Sequence, residues 1–469
     1  MRLLRALAGA GPDRPEAVRV AGRGLSSEAL VGCVNAVADR IRGAGVVAVD
    51  ATPTLETVVG MAGVVQAGVP LVPLPPRADR RERARLLRES GATVLLGHDT
   101  ATGLPTVPVD LSQRCWTHQP EPPPHADAVI LYTGGVTGPP RGVRISRRAI
   151  AVDLDLLAEA WHWDREDVLV QGAPLFRAYG LVVGLLGALR TGCRFVHRDR
   201  DAAGGPPGTM YLALPGQWAR IARDRSRARA LAGARILVSA DALLPATLIE
   251  RLRLLTTHSL IQGYGTTETL IALAGRVDAP PAAGVAGTPL PGVETRVLDR
   301  QGWPVPADGE STGELSIRGP TLFSGYVDGC RQPADTGWHA TGDLVTVAPD
   351  GSYRIIGRRR TDVVHGRTRR VHAGQVEEAL LSHPGVREAA VVGTSHGRAD
   401  EQVTAFVVAA EGLTAQVLID HVGRYLSAGQ RPRLVHFVDE LPRSAQGRIR
   451  KSLLIAAAGA WPAAAARFA

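Results

Sequence analysis

Strands and helices take turns along the first half of this chain, and that alternation limits its fold more than any other feature. LSSEALVGCVNAVADRIRGAG (25–45) carries apolar residues at helical spacing and ends in glycine. VVAVD (46–50) has a short buried-strand pattern, TLETVVGMAGVVQAG (54–68) is a second helix, and VPLVPL (69–74) is a second strand. A charged helix over 77–90 leads into the strand ATVLLG (92–97), and AVILYT (128–133) is another strand. ARILVSA (234–240) and LPATLIERLRLL (244–255) repeat the unit. Parallel strands need crossovers long enough to hold a helix. The order therefore predicts an α/β fold, a mostly parallel sheet with helices on both faces.

From about residue 283 the texture changes. GVETRVLDRQGWPVPADGESTGELSIRG (292–319) has short alternating runs broken at DRQG and PADG, the pattern of antiparallel hairpins. After GSYRIIGRRR (351–360) come the helix AGQVEEALLSHPGV (373–386) and the strands AAVVG (389–393) and VTAFVVAA (403–410). These predict a small α+β domain of their own. A chain of 469 residues is too long for a single core, so more than one domain is expected in any case.

Several function classes are disfavoured early. No run of about 18 uncharged apolar residues is present, so no transmembrane helix is predicted. The opening MRLLRALAGAGPDRPEA has too short an apolar run for a secretory signal. Cys33, Cys115, Cys193 and Cys330 lie far apart and form no CxxC, which argues against a zinc site or a disulfide framework and for a reducing cytoplasm. The formal charge is +9, but the basic residues are mixed with acids, as in RADRRERARLLRES (77–90). That is the pattern of a solvated helix face rather than of a nucleic-acid patch. All but one of the 54 basic residues are arginine; the exception is Lys451.

One loop asks for a ligand. LYTGGVTGPPRGV (131–143) follows the strand AVILYT. Successive backbone N–H groups in a glycine-rich turn can point at one anion. Thr133 and Thr137 add hydroxyl donors and Arg141 adds charge. GxxxxGK[ST] cannot be fitted to it, so it is not a P-loop. On composition alone, a phosphate cradle and a flexible surface loop are equally good readings.

Further stretches decide between them. YTGGVTGPPRGV (132–143) resembles the YTSGTTGxPKGV signature of the adenylate-forming superfamily: acyl- and aryl-CoA synthetases, peptide-synthetase adenylation domains and luciferases. In the same order, QGYGTTET (262–269) resembles its YGxTE box, and the segment 287–326 resembles its stretch ending GELxxRGPxxxxGY. WHATGDL (338–344) resembles WxxTGDL, DGSYRIIGR (350–358) the approach to its hinge, and LPRSAQGRIRK (441–451) its LPRTxxGKIxR tail. The resemblance covers nearly the whole chain. It implies a large N-terminal domain over 1–356, made of two βα-layered subdomains and a small antiparallel β subdomain. A small, mobile α+β C-terminal domain over 357–469 follows, with a hinge near 357–362.

The resemblance also implies site residues. Thr133, Gly134, Gly135, Thr137, Gly138 and Arg141 hold the ATP phosphates. Tyr264 packs on adenine beside Gly265 and Thr266, Thr267 lies by the phosphates, and Glu268 is the carboxylate associated with Mg2+. A hard oxygen ligand beside a triphosphate suits that ion. Asp343 accepts from the ribose hydroxyls, which a carboxylate can do for two vicinal groups. Arg358 lies near the ribose, and Asp241, in SADALLP (239–245), is a nucleotide candidate that reads equally well as a helix N-cap. Arg177, Tyr179, Gly180, Gln262, Gly263 and Leu270 line the acid pocket. Their small and polar character points to an aryl or short acyl acid. Arg177 stands in APLFRAYGL (173–181) where the family has histidine. It could pair with a second acidic group of the substrate or snorkel to solvent, and the latter is the expectation.

The implied reaction has two halves. A carboxylate attacks the α-phosphate of ATP, giving an acyl-adenylate and pyrophosphate. A thiol, most often that of CoA, then attacks the acyl carbon. The C-terminal domain carries the adenylation lysine and rotates between the halves. Here that lysine falls on Arg448, Gly134 and Val136 replace hydroxyl residues, and Arg141 replaces lysine. Lys451 is expected to be a solvated lysine, with service in place of Arg448 as the alternative. GRRRTD (357–362) carries one extra residue, and the glycine of HGRTRRV (365–371) is displaced. CoA as acceptor is therefore less secure than adenylation. A carrier-protein thiol, an amine, or activation of another oxyanion such as nitrite remains open, as does a degenerate nucleotide-binding partner without catalysis. GTSHG (393–397) matches the GxSxG elbow, but it lies between two strands and reads as a hairpin loop.

Overall fold

The computed structural model describes residues 2–8, 12–97, 99, 102–117, 120–133, 140–198, 207–239, 244, 246–279, 284–329, 337–359, 362–365, 370–396, 400–443 and 449–458. The chain forms two compact units. The first takes 1–133, 141–295 and 317–339; the second takes 134–140, 296–316 and 340–469.

Two large sheets build the first unit. One has seven strands in the order Gly325–Tyr326, Gly142–Ser146, Asp127–Tyr132, Leu71–Leu74, Val47–Asp50, Val94–Leu96, Thr106–Val107. The inner strands are parallel, and Gly142–Ser146 turns back antiparallel on Asp127–Tyr132. The other has nine strands, with Val168–Gln171, Met210–Ala213, Ile236–Ser239 and Leu260–Thr266 parallel at its centre. Leu270–Ala274 closes back antiparallel on Leu260–Thr266. All four residues of Leu71–Leu74, Val168–Gln171 and Ile236–Ser239 are buried, as central strands covered on both faces require.

The helices start where the sequence supplies caps. Ser26, Thr54, Asp79 and Ser146 each accept a backbone N–H from the first turn of Ser27–Arg40, Leu55–Gln66, Arg80–Ser90 and Arg147–Trp161. Gly91 ends the third of these in the left-handed conformation, which costs glycine nothing. The topology places the carboxyl ends of Asp127–Tyr132, Ile236–Ser239 and Leu260–Thr266 directly before the loops that carry most of the expected site residues. Open α/β sheets bind ligands at that end.

One element escapes sequence reading. Tyr179–Leu186 is a π-helix. Its residues YGLVVGLL are apolar on every side, so no period betrays it. Glycine lets this wide turn press on its neighbours: a Cβ on Gly180 would lie 2.1 Å from the Pro174 carbonyl oxygen.

In the second unit, Ala373–Leu381, Ala415–Val422 and Lys451–Ala458 accompany a sheet ordered Val386–His396, Asp400–Ala409, Leu434–Phe437. Val391, Val407, Leu380, Leu418 and Val422 form one core. Ala390, Val392, Phe406, Leu441 and Leu454 form another, so alternate residues of one strand serve the two faces. The strand Val386–His396 pairs with its partner as far as His396 opposite Asp400. Gly393–His396 are thus ladder residues rather than loop, and Gly397 lies outside the described residues. The connection still runs strand to strand, so GTSHG is no nucleophile elbow. Among the described residues, no helix is long and apolar enough to cross a membrane.

Candidate active site

The Asp127–Tyr132 strand delivers the glycine loop. Gly134, Gly135, Val136, Thr137 and Gly138 lie outside the described residues, but the neck of the loop is defined. The Thr133 N–H donates to the Arg141 carbonyl at 3.0 Å, and the Arg141 N–H donates to Thr133 Oγ1 at 3.0 Å. The Arg141 side chain lies back along the sheet edge. Its Nε and an Nη donate to Asp328 Oδ2 at 3.2 and 2.9 Å, and its guanidinium carbon sits 3.5 Å from the Tyr326 ring centroid.

The Leu260–Thr266 strand carries Gln262, Gly263, Tyr264, Gly265 and Thr266 into a tight turn that presents Thr267 and Glu268. Reciprocal bonds tie the turn. The Thr266 N–H donates to Thr269 Oγ1 at 2.9 Å, and the Glu268 N–H donates to Thr266 Oγ1 at 3.2 Å. Leu270 follows at φ 52°, unusual for leucine. A Cβ on Gly265 would lie 1.5 Å from the Leu270 carbonyl oxygen, so only glycine admits this geometry. Beneath it, Asp153 Oδ1 accepts the Ile271 N–H at 3.0 Å. Asp153 is fully buried and its Oδ2 has no hydrogen-bond partner. Burial pushes its carboxyl well above the ordinary range, only partly opposed by the Ile271 N–H.

Glu268 is half-buried. Tyr326 Oη donates to its Oε1 at 3.1 Å, and the Phe323 N–H donates to its carbonyl at 2.9 Å. Phe323 lies edge-on to both Tyr326 and His339. Burial holds His339 below the usual histidine range, partly offset by the Glu268 charge.

In the pocket-lining set, Tyr179 Oη donates to the Gly263 carbonyl at 3.0 Å. The Gly180 carbonyl accepts from Gln171 Nε2 at 2.9 Å. Gln262 is buried and its amide is engaged by backbone: Oε1 accepts the Leu244 N–H and Nε2 donates to the Val285 carbonyl. Leu270 is buried at 2% exposure and belongs to the turn. Arg177 precedes the π-helix, and its Nε is fully buried. The residue as a whole is only half-buried. Asp241 lies outside the described residues.

In the second unit, Asp343 is buried at 5% exposure and pairs with Arg358 Nε at 3.2 Å. Its N–H donates to Thr341 Oγ1. The two residues face each other across antiparallel strands. Arg448, Arg360 and Thr361 lie outside the described residues. Lys451 is not the solvated lysine expected. Its Nζ pairs with Asp362 and, at 2.7 Å, with Glu377, at 12% side-chain exposure. Burial works against its charge, but the carboxylates of Glu377 and Asp362 outweigh that and raise its pKa. Asp362 Oδ2 in turn accepts the Arg358 N–H at 2.8 Å. The charged ammonium ties Asp362 to Glu377.

The residues suit the implied ion and nucleotide. No group of three or more His, Cys, Asp or Glu among the described residues could hold a metal by itself. Glu268 supplies one hard carboxylate oxygen set, which suits Mg2+ shared with phosphates rather than caged by protein. Tyr326, Phe323, His339 and Asp153 were missed by sequence reading. Tyr326 lies inside the GPTLFSGY segment, whose terminal tyrosine was the available signal.

The comparisons with known proteins agree with this geometry. Residues 4–327 match the AMP-binding enzyme family and 375–448 the AMP-binding enzyme C-terminal domain. The chain is 30% identical over 439 residues to the mitochondrial malonate–CoA ligase ACSF3 of Bos taurus, covering 83% of this chain and 69% of that protein. The match to the mouse and human proteins of that name covers 64 and 65% of their length, so the chain spans about two thirds of these relatives. A malonyl-CoA ligase solved as a ternary product complex with methylmalonyl-CoA and AMP is 39% identical. That match covers 94% of this chain and all of that one, with a TM-score of 0.70. ATP-bound MatB from Rhodopseudomonas palustris is 25% identical, over 97% of this chain and 99% of that one, with a TM-score of 0.84. The chain belongs to the AMP-binding enzyme family, the adenylate-forming ligases.

Proposed function

We infer that this chain is an ATP-dependent, AMP-forming acid–CoA ligase, and we propose that its acid is a small dicarboxylate of the malonate class. The acid oxygen attacks the α-phosphate, pyrophosphate leaves, and the acyl-adenylate then passes its acyl group to the CoA thiol with loss of AMP. Malonate-class relatives support the acid. Arg177 is the observation that carries the reading. It sits in the segment that leads Tyr179 onto Gly263, with its Nε buried, and a guanidinium pairs with a second carboxylate in a fork.

The other residues then take their roles. Thr133 and the glycines after it receive the phosphates, and Tyr264 packs on adenine. Asp343, fixed by Arg358, accepts the ribose hydroxyls. Glu268 would hold Mg2+, and that ion would supply neutralisation of phosphate charge. Arg448 brings the charge that steadies the adenylation transition state. The 357–362 segment is the hinge of a C-terminal lid over 357–469. The absence of CxxC pairs supports a cytoplasmic, reducing location.

The test is Arg177→Met against a panel of acids, read as pyrophosphate release. kcat/KM for malonate falls about a hundredfold, the cost of leaving a buried charge unpaired, while that for propionate changes little. Equal losses on both acids, or no loss on malonate, contradict the proposal.

A further inference from the structure

The resemblance places Arg141 at the phosphates, and in this structure its guanidinium meets Tyr326 and Asp328. The guanidinium carbon lies over the Tyr326 ring, 3.5 Å from its centroid, and the group is anchored by Asp328. The same tyrosine donates its hydroxyl to Glu268 Oε1 at 3.1 Å. We propose that Tyr326 is a positioning residue, held by Arg141, that couples the neck of the glycine loop to the carboxylate on the metal side. The proposal rests on the reading of Glu268 as that carboxylate, and not on which acid is activated.

The physical argument has three steps. A glutamate on a half-exposed turn has several rotamers, and one hydroxyl on Oε1 selects among them and aims the second oxygen. The hydroxyl must itself be fixed. Tyr326 is fixed by backbone pairing, opposite Val143 in the antiparallel ladder, and by the Phe323 edge at 4.9 Å. Arg141 closes the third side. Its backbone also makes both bonds at the loop neck with Thr133, which joins the neck to the ring through one residue.

This accounts for an arginine where the family has lysine. A planar guanidinium can stack on a ring and donate to a carboxylate at once; a compact ammonium cannot do both in this geometry. The substitution is then a strut rather than a product of arginine-rich composition. Tyr326→Phe keeps the ring, its stacking and its packing, and removes only the hydroxyl.

The experiment uses the whole chain with a non-hydrolysable ATP analogue and Mn2+ as a paramagnetic probe for Mg2+. Mn2+ affinity is read by electron paramagnetic resonance, nucleotide affinity without metal by calorimetry, and folding by thermal unfolding. Tyr326→Phe is expected to weaken Mn2+ binding about tenfold, as for a lost hydrogen bond to a charged acceptor, with metal-free nucleotide affinity unchanged. Arg141→Met is expected to weaken it in the same direction, and the double variant to be no worse than the stronger single, since the two act in series. Wild-type Mn2+ affinity in Tyr326→Phe, or additive losses in the double variant, overturns the proposal. Glu268→Gln separates the two claims. If it removes Mn2+ binding while Tyr326→Phe does not weaken it, only the strut fails. If Glu268→Gln leaves Mn2+ binding intact, the metal-side reading of Glu268 fails with it.

Discussion

Two short bends carry groups central to this protein, and they are held in different ways. The Thr266–Leu270 turn of the first unit is fixed by hydroxyl and backbone bonds and by the buried Asp153 carboxyl beneath it. In the second unit Arg358 and Asp362 are tied by charge in addition to one backbone bond of 2.8 Å. Asp362 returns a bond to the Arg358 N–H and takes the Lys451 ammonium, which also holds Glu377. The first arrangement presets a carboxylate with little cost of reorganisation when charge arrives. The second ties a bend, a helix start and a neighbouring helix through one cation, so that losing it unsettles all three.

The sharpest way to break this contrast is at Lys451. Lys451→Ala leaves Asp362 and Glu377 facing each other without a cation. It is expected to cost about 3–5 kcal/mol, seen as a lower unfolding midpoint, with Lys451→Arg recovering part of it. If the Ala variant unfolds like the parent, the bend is not held by charge.

Glu268→Gln comes next. It removes the charge but not the shape of the first turn, so pyrophosphate release should fall about a hundredfold to a thousandfold while the unfolding midpoint stays put. A lost midpoint with retained activity would make Glu268 a structural residue instead.

A smaller effect is expected at Asp153. Asp153→Val orphans the Ile271 N–H and should cost about 1–3 kcal/mol. Asp153→Asn tests neutrality through pH. The folded carboxyl is raised above its ordinary 3.8, so its contribution is full below that value and is lost as pH rises toward the folded pKa. The midpoint of the Asn variant should therefore gain on the parent as pH rises above 3.8. A constant difference across pH would mean that Asp153 is ionised in the fold. Smallest of all is the exposed Arg253–Glu250 pair within one helix, where Arg253→Ala should leave the midpoint unmoved.

Much of this was legible in the sequence, for local reasons. The alternating strands and helices and the ordered boxes are short-range patterns, and they placed the loop neck at the end of its strand. What failed was long-range or aperiodic. The partner of Lys451 is 89 residues away and that of Glu268 is 58 away. The π-helix hides in an apolar run. Asp153 was readable in hindsight: it shares a helix face with Ile150, Leu154 and Leu157, where a charge does not belong. Asp155, two residues on, lies off that face and meets Arg190.

The account stands or falls on the product. Malonate, ATP, Mg2+ and CoA should be incubated with the purified chain, and thioester, AMP and pyrophosphate followed together by mass spectrometry. The prediction is malonyl-CoA, AMP and pyrophosphate in equal amounts, with acetate and benzoate giving far less. Pyrophosphate without thioester, or no pyrophosphate from malonate or its alkyl derivatives, would contradict a malonate-class acid–CoA ligase.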